Sequence, residues 1–191
     1  MIFRKRKSAE QGFTLIEVVI VTGIFSVLML AMLNLFDWHN KVYFLEQADT
    51  QATGSARTTM NNMDKYIAQA SSVESSRTVS GTTYTTDSDT LVLKLPAFDS
   101  SDNLLTNIYD YVVYYKTGNS LYQLIDLGSG SGRNGGTKLM SAYAQTLTFT
   151  YDAGDVTQAT RVTVDLQAQA TSRGASTTTA HVTDTIFLRN K

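Results

Sequence analysis

The sequence predicts an α+β fold: one long N-terminal helix packed on a C-terminal antiparallel β-sheet domain. Two patterns along the 191 residues predict it. An apolar run, followed by apolar residues at steps of three or four, extends to Ala70. From Thr90 onwards, apolar and polar residues alternate with the period of two that is typical of strands. No helical pattern separates the later strands, which argues against a parallel α/β fold.

The chain begins with a basic segment and continues with a long apolar one. Residues 4–7 are all basic, and residues 13–36 are almost wholly apolar with a single charge, Glu17. A helix that crosses a bilayer needs about 20 apolar residues, so this run predicts a transmembrane helix. By the positive-inside rule, the basic segment holds the N-terminus in the cytoplasm.

Two cleavage sites compete at this end of the chain. A conventional secretory signal is cut after its apolar run, but the next residues, 37–40, contain no suitable small-residue site. A cut between Gly12 and Phe13 would instead leave the helix on the mature protein. Glu17 is informative here, because ionisable groups within a membrane are costly and usually paired. It is either an interfacial residue of an ordinary anchor or the partner of a new α-amino group on Phe13.

The string GFTLIEVVI, which contains Gly12, Phe13 and Glu17, resembles the prepilin signal of type IV pilins and type II secretion pseudopilins. The resemblance implies that a membrane aspartyl peptidase, the prepilin peptidase, cuts before Phe13 and N-methylates it. It implies that Glu17 guides assembly by neutralising the N-terminus of the preceding subunit. The implied partners are other pilin or pseudopilin subunits, the peptidase, an inner-membrane assembly platform and, before assembly, the lipid bilayer.

The helical pattern continues beyond the apolar run as an apolar stripe from Leu45 to Ala70. The stripe predicts the amphipathic half of one helix that starts at Phe13 and lies against the sheet of its own domain. A coiled coil or a cofactor slot is the less favoured interpretation. The predicted divisions are a leader over 1–12, a transmembrane or filament-core half over 13–36, an amphipathic half over 37–70, and a connection with the sheet domain over 71–191.

Residues 71–90 predict a polar connection, since twelve of the twenty are Ser or Thr. Six strands are predicted after it, and Pro96 is expected to end the first. A turn over 99–103 and a flexible glycine-rich hairpin loop over 128–136 are also expected. The predicted strands cover about residues 90–95, 108–116, 121–125, 146–151, 162–167 and 180–188.

The order of the strands over about residues 108–190 resembles one branch of the same family. A YVVYY strand is followed by LYQL, TLTFTYD, VTVDL and a terminal IFLRN. The J-type minor pseudopilins of type II secretion and the W-type minor pilins of type IV pili share this order. Many major type IV pilins carry a C-terminal cysteine pair, and this chain has no cysteine. The departure favours a minor pilin or a pseudopilin.

The sequence offers little support for catalysis, so it predicts a protein that is not an enzyme and needs no cofactor. The absence of cysteine excludes disulfides, cysteine-based zinc sites and thiol nucleophiles, and a net charge of −1 gives no basic nucleic-acid footprint. The glycine-rich loop lacks the Gly-Lys-Ser/Thr ending of a P-loop. His39 and His181 lack zinc-ligand spacing. Asp99, Asp102 and Asn103 could hold calcium, although turn chemistry explains them equally well.

The sequence therefore predicts a minor pilin or pseudopilin that assembles into, and helps to initiate, a type IV pilus-like filament after leader cleavage. The machine is a type IV pilus, a type II secretion pseudopilus or a competence pseudopilus. The protein is expected first as a single-pass protein of the cytoplasmic (inner) membrane and then in an extracytoplasmic filament. The alternatives are an uncleaved, single-span surface protein that binds a ligand or adheres, and a membrane-tethered hydrolase.

Overall fold

A computed structural model of the chain describes residues 12–174 and 176–189. The basic segment over residues 4–7, and the predicted leader apart from Gly12, lie outside the described residues. The chain forms two compact units that meet between Tyr43 and Phe44. Helix α1 spans Leu15–Gln69. The strands are β1 Ser72–Val73, β2 Ser76–Val79, β3 Thr82–Thr85, β4 Thr90–Phe98, β5 Leu104–Thr117, β6 Ser120–Asp126, β7 Gly136–Ser141, β8 Ala144–Tyr151, β9 Arg161–Thr171 and β10 Thr177–Phe187, with a 3₁₀ turn at Val156–Gln158.

The first unit is the apolar part of α1. Its large apolar side chains from Phe13 to Phe36 are all exposed, and even the least exposed of them, Met29, is 49% accessible. The mean hydropathy reaches 2.5 over eighteen residues, which makes α1 long and apolar enough to cross a membrane. No other helix of the described residues meets that test. The predicted single helix is confirmed to within two residues at its start.

The second unit contains the rest of α1 and all ten strands. The predicted apolar stripe is the buried face of the helix, and its small residues lie nearest the three-stranded sheet: Ala48 and Ala52 pack with Ala170 of β9. Farther along, Met63 and Ile67 are fully buried in the main core. The stripe therefore covers the sheets of its own domain, as the sequence predicts, and the predicted α+β fold class is confirmed.

The strands form three antiparallel sheets rather than one. The five-stranded sheet has the order β1-β4-β5-β6-β7, the three-stranded sheet the order β10-β9-β8, and β2 pairs with β3. The leucines of β4, such as Leu93, are fully buried in the main core. Val92, between them, is also fully buried, but in a second cluster with Val113 on the other face of the sheet. The β2–β3 hairpin covers that cluster through Val79 and Tyr84.

Two predictions about the chain before Asp99 need correction. The polar segment 71–90 carries β1, β2 and β3 and is not only a linker. Pro96 does not end β4, because the strand continues to Phe98 through an irregular pairing with β5. A proline is tolerated at such a bulge, where its missing N–H leaves no regular ladder bond unmade. The expected turn over 99–103 is present, with the Asp99 carboxylate accepting from Ser101 and Asn103 N–H at 2.8 and 2.9 Å.

The glycine-rich segment is anchored rather than flexible. Gly132 N–H donates to Phe98 O at 2.7 Å, and Gly128 N–H donates to the buried Asp110 carboxylate at 2.8 Å. A Cβ atom on Gly132 would lie 2.7 Å from the Asp99 backbone. Glycine is therefore required for close approach, and the last glycine of the run, Gly136, begins β7.

Candidate functional site

The first turn of α1 is closed by a reciprocal hydrogen-bond arrangement between Thr14 and Glu17. The N–H and the hydroxyl of Thr14 each donate to Glu17 Oε2 at 2.9 Å, and Glu17 N–H reaches Thr14 Oγ1 at 3.3 Å. Thr14 O accepts the N–H of Val18 at 3.2 Å. This is a capping box, which satisfies N–H groups that the start of a helix otherwise leaves without partners.

Sequence reasoning singled out Glu17 but missed Thr14. The signal was present, since Thr or Ser followed three residues later by Glu at the start of an apolar run predicts such a cap. In the structure, Thr14 fixes the position of the Glu17 carboxylate by donating two hydrogen bonds to it. None of the three hydrogen bonds of the capping box uses Glu17 Oε1, and this oxygen accepts from no donor among the described residues.

The two residues at the predicted cut lie at this same end of the helix. Phe13 is 87% exposed, and a Cβ atom added at Gly12 would meet no atom within 4 Å. Both precede the helix, which begins at Leu15. Cleavage between Gly12 and Phe13 and methylation of Phe13 stay predictions. Gly12 and Phe13 thus lie just before the helix, and Glu17 lies in its first turn.

Two hydroxyl side chains farther along the apolar segment, those of Thr22 and Ser26, are satisfied within the helix. Thr22 Oγ1 donates to Val18 O at 2.8 Å, and Ser26 Oγ donates to Thr22 O at 2.7 Å. In hydrocarbon a hydroxyl without a hydrogen-bond partner costs several kcal/mol, and bonding to the preceding turn removes that cost. Within the described apolar segment, Glu17 is thus the only charged residue left to find a partner.

Among the described residues, the other candidate sites from the sequence form no metal-ligand group, and His181 is not in a triad-like arrangement. His181 uses the same nitrogen, Nε2, towards Asp165 at 2.9 Å and Thr183 at 3.4 Å. A catalytic triad needs the two ring nitrogens for two different partners. Nowhere in residues 12–174 and 176–189 do three or more His, Cys, Asp or Glu side chains form a group that could hold a metal.

The Asp99 turn is explained by its internal hydrogen bonds. Asn103 Nδ2 donates to Asp99 Oδ2 at 3.1 Å, and the same amide group holds the pKa of Asp99 below its usual value. Backbone N–H groups occupy Oδ1. The carboxylate is therefore engaged as a turn acceptor, which is the interpretation that the sequence left open beside calcium.

A comparison with protein families matches residues 7–33 to the prokaryotic N-terminal methylation motif. The matched stretch contains Gly12, Phe13, Thr14 and Glu17, and it covers well under half of the chain. Neither the curated proteins nor the solved structures gave a match. Together with the apolar helix, the motif supports a membrane-anchored, single-pass protein of the type IV pilin or pseudopilin type. It indicates a structural subunit and suggests assembly with other pilin subunits after processing by a prepilin peptidase.

Proposed function

We propose that this protein is a minor pilin or pseudopilin, which is cut between Gly12 and Phe13, methylated on Phe13 and assembled into a type IV pilus-like filament. The observation that carries the proposal is the exposed helix start in which Thr14 holds Glu17 near the beginning of an almost wholly apolar segment. The N-terminus of the precursor lies in the cytoplasm and the sheet unit lies outside the inner membrane.

The apolar half of α1 needs a covering in every state of the protein. Its side chains are exposed along residues 13–36, and an exposed apolar surface of that length is incompatible with water. Lipid covers it in the precursor, and the helices of neighbouring subunits cover it in the filament, where packing and hydrogen bonding replace contacts with lipid. The division at residues 36 and 37 marks the proposed boundary of the membrane segment.

Glu17 supplies the register of assembly in this account. Thr14 holds Oε2 at 2.9 Å, so Oε1 can receive the Phe13 α-amino group of the preceding subunit. The attraction between a carboxylate and an ammonium group is strong in a medium of low dielectric constant. A one-turn error in helix stacking would leave both charges without partners, which is costly in an apolar filament core.

The experiment compares two substitutions of Glu17 in cells that make filaments. Glutamine at this position can still accept in a capping box but carries no charge, whereas alanine loses both properties. We expect Glu17→Gln and Glu17→Ala each to lower incorporation into sheared filaments by about tenfold or more, since tenfold corresponds to only about 1.4 kcal/mol. Glu46→Ala, an exposed glutamate of the same helix, is the matched control and should incorporate normally.

The two variants separate the proposed roles. If glutamine restores full incorporation, Glu17 acts as a helix cap and the ion pair is wrong. If both variants incorporate like wild type, the proposed role of Glu17 in assembly is wrong. If the wild-type protein is absent from filaments, the uncleaved surface protein becomes the better account. Membership of the J-type or W-type branch, and the role in initiation, are tested by deleting the gene and scoring twitching, protein export, DNA uptake and the number of filaments.

A further inference from the structure

Strand β10 forms one edge of the three-stranded sheet and is among the longest strands of the chain. It spans Thr177–Phe187 and pairs with β9 at all eleven positions without a register shift. The pairing of its two ends shows which backbone groups face outwards. Leu188 N–H donates to Thr160 O at 2.9 Å, and Ser172 N–H donates to Ser176 O at 2.8 Å.

Both of these bonds involve even-numbered positions next to β10, Ser176 and Leu188. In an antiparallel ladder, hydrogen-bonded and non-hydrogen-bonded pairs alternate. Even-numbered residues of β10 therefore bond to β9, and odd-numbered residues direct their N–H and C=O groups away from the sheet. Thr185 agrees with this assignment, because its N–H is taken by the side chain of Asp184 at 2.8 Å instead of by β9.

The remaining outward groups of β10 have no partner among the described residues. The other edge strands are shorter than β10, and β7 and β8 also bond to other parts of the chain. On β8, Phe149 N–H donates to Ser88 O at 2.7 Å, and Gln145 O accepts from Lys116. On β7, Met140 O accepts from the hydroxyl of helix residue Thr59 at 3.3 Å. Strand β1 is only two residues long.

β10 also lacks the features that keep edge strands from pairing with other chains. Those features are lysine, proline, a bulge or a short length. β10 contains no lysine, arginine or proline, has no bulge over its eleven pairs and is rich in threonine, which favours strands. Its only acidic residue, Asp184, is exposed and caps a single N–H.

From this edge we infer that β10 is a docking site for an extended strand of a neighbouring pilin-type subunit, which adds to the three-stranded sheet as a fourth strand. The inference rests on the proposed assembly into a filament. An extended backbone is the ligand that matches alternating N–H and C=O groups along an edge. Asp184 forms no ion pair within the described residues, so the added strand carries Lys or Arg at the position beside it.

The first experiment measures amide hydrogen exchange at single residues of β10, in the detergent-solubilised protein and in sheared filaments. In detergent, the outward amides of Thr179, His181 and Thr183 should exchange rapidly, while the inward amides of Ala180 and Val182 are protected. In filaments, the three outward amides should slow by about tenfold or more, because hydrogen-bonded amides exchange only through local opening. The inward amides should not change.

The second experiment replaces Thr183, whose N–H is outward and not used within the sheet. Proline there removes the donor that an added strand would need and blocks its approach. Thr183→Pro should lower incorporation into filaments by about tenfold, equal to about 1.4 kcal/mol. Thr183→Ala keeps the N–H and should incorporate as wild type does. Unchanged protection of Ala180 and Val182 shows that the proline variant retains its fold.

The results separate this inference from the proposed function. If the protein is incorporated and the outward amides stay unprotected, or if Thr183→Pro incorporates as well as Thr183→Ala, the strand-docking inference is wrong and the filament role stands. If the wild-type protein is absent from filaments, the proposed function fails. The inference then fails with it, because its occupant is a filament neighbour. Slowed outward amides together with selective loss of the proline variant support it.

Discussion

Asp110 is the acidic residue whose substitution should most disturb the sheet unit. Its side chain is fully buried in β5. One carboxylate oxygen accepts from Gly128 N–H at 2.8 Å, and the other accepts from the Ser131 hydroxyl at 2.9 Å. Arg133 Nε lies 3.0 Å from the second oxygen but is poorly aligned for a hydrogen bond, so attraction between the charges dominates that contact.

The Arg133 side chain extends the same network to two other elements. It donates to Gln69 Oε1 at the end of α1 at 3.1 Å and to Pro96 O of β4 at 3.2 Å. Breaking a buried ion pair from one side costs about 3–5 kcal/mol. Because Arg133 remains 19% exposed, and because asparagine still offers an oxygen to Gly128, we expect Asp110→Asn to cost about 3 kcal/mol, the lower end of that range.

The assay is urea unfolding of the full-length protein in a mild detergent, followed by far-UV circular dichroism, with the free energy taken from the midpoint and the slope. Asp102→Asn is the matched control, since it makes the same change at an exposed turn position and should stay within about 0.5 kcal/mol of wild type. The double variant Asp110→Asn, Arg133→Met should lose less free energy of unfolding than the sum of the two single losses. The reason is that Arg133→Met removes the positive charge that Asp110→Asn leaves unpaired.

A loss at Asp110→Asn no larger than at Asp102→Asn would refute this reasoning. It would mean that water or a rearranged loop satisfies Arg133 when the carboxylate is gone. Strict additivity of the two single variants would also contradict it, since residues that share one network are expected to couple by about 0.5–3 kcal/mol.

Three further predictions concern the cap, an acidic turn and a close glycine. Thr14→Ala removes the hydroxyl of the capping box and should cost about 1 kcal/mol at the first turn, seen by NMR as faster exchange of its amides. Hydrogen bonds from Thr160 lower the pKa of Asp152 from 3.8 to about 2, so its contribution to stability is complete above the unfolded pKa and is lost as the pH falls towards 2. The difference in melting temperature between wild type and Asp152→Asn should shrink as the pH falls from 3.8 to about 2. A difference that stays constant over this pH range would contradict the lowered pKa of Asp152. Gly132→Ala should cost about 1–3 kcal/mol by overpacking, and Gly154→Ala, in open space, should be neutral in the same urea assay.

The sequence predicts the helix well because a continuous apolar run and a helical stripe join without a break. The apolar run and the stripe from Leu45 to Ala70 differ in pattern, but no proline separates them. The helix bounds follow from this continuity. The strands with strict alternation, such as β9, are also predicted correctly, since Val162, Val164 and Leu166 are all fully buried.

The missed strands are those whose side chains give no alternating pattern. β2 and β3 are rich in Ser and Thr and contribute only Val79 and Tyr84 to the second cluster, so their composition is that of a loop. The buried Val92 between buried leucines was the available signal that β4 is covered on both faces. β7 is an edge strand whose first four residues are exposed, and exposure removes the alternation that a sequence can reveal.

Among the functional features, those that are local in sequence could be predicted, and those that depend on the fold could not. Gly12, Phe13 and Glu17 lie close together in the sequence and could be recognised there, because a helix start is a local structure. The anchoring of the glycine-rich segment depends on contacts between Asp110 and Arg133, which are distant in sequence and whose pairing only the fold creates. The outward edge of β10 likewise requires the order of the sheet, which no local pattern contains.

The most direct test of the central claim is mass spectrometry of filaments sheared from cells, reading the N-terminal peptide and the abundance of the subunit. The account predicts a peptide that begins at a methylated Phe13, in trace amount beside an abundant partner pilin. Dominant amounts of the same peptide would make the protein the main subunit rather than a minor one. A protein that is absent from filaments and keeps residues 1–11 in the membrane would contradict the account.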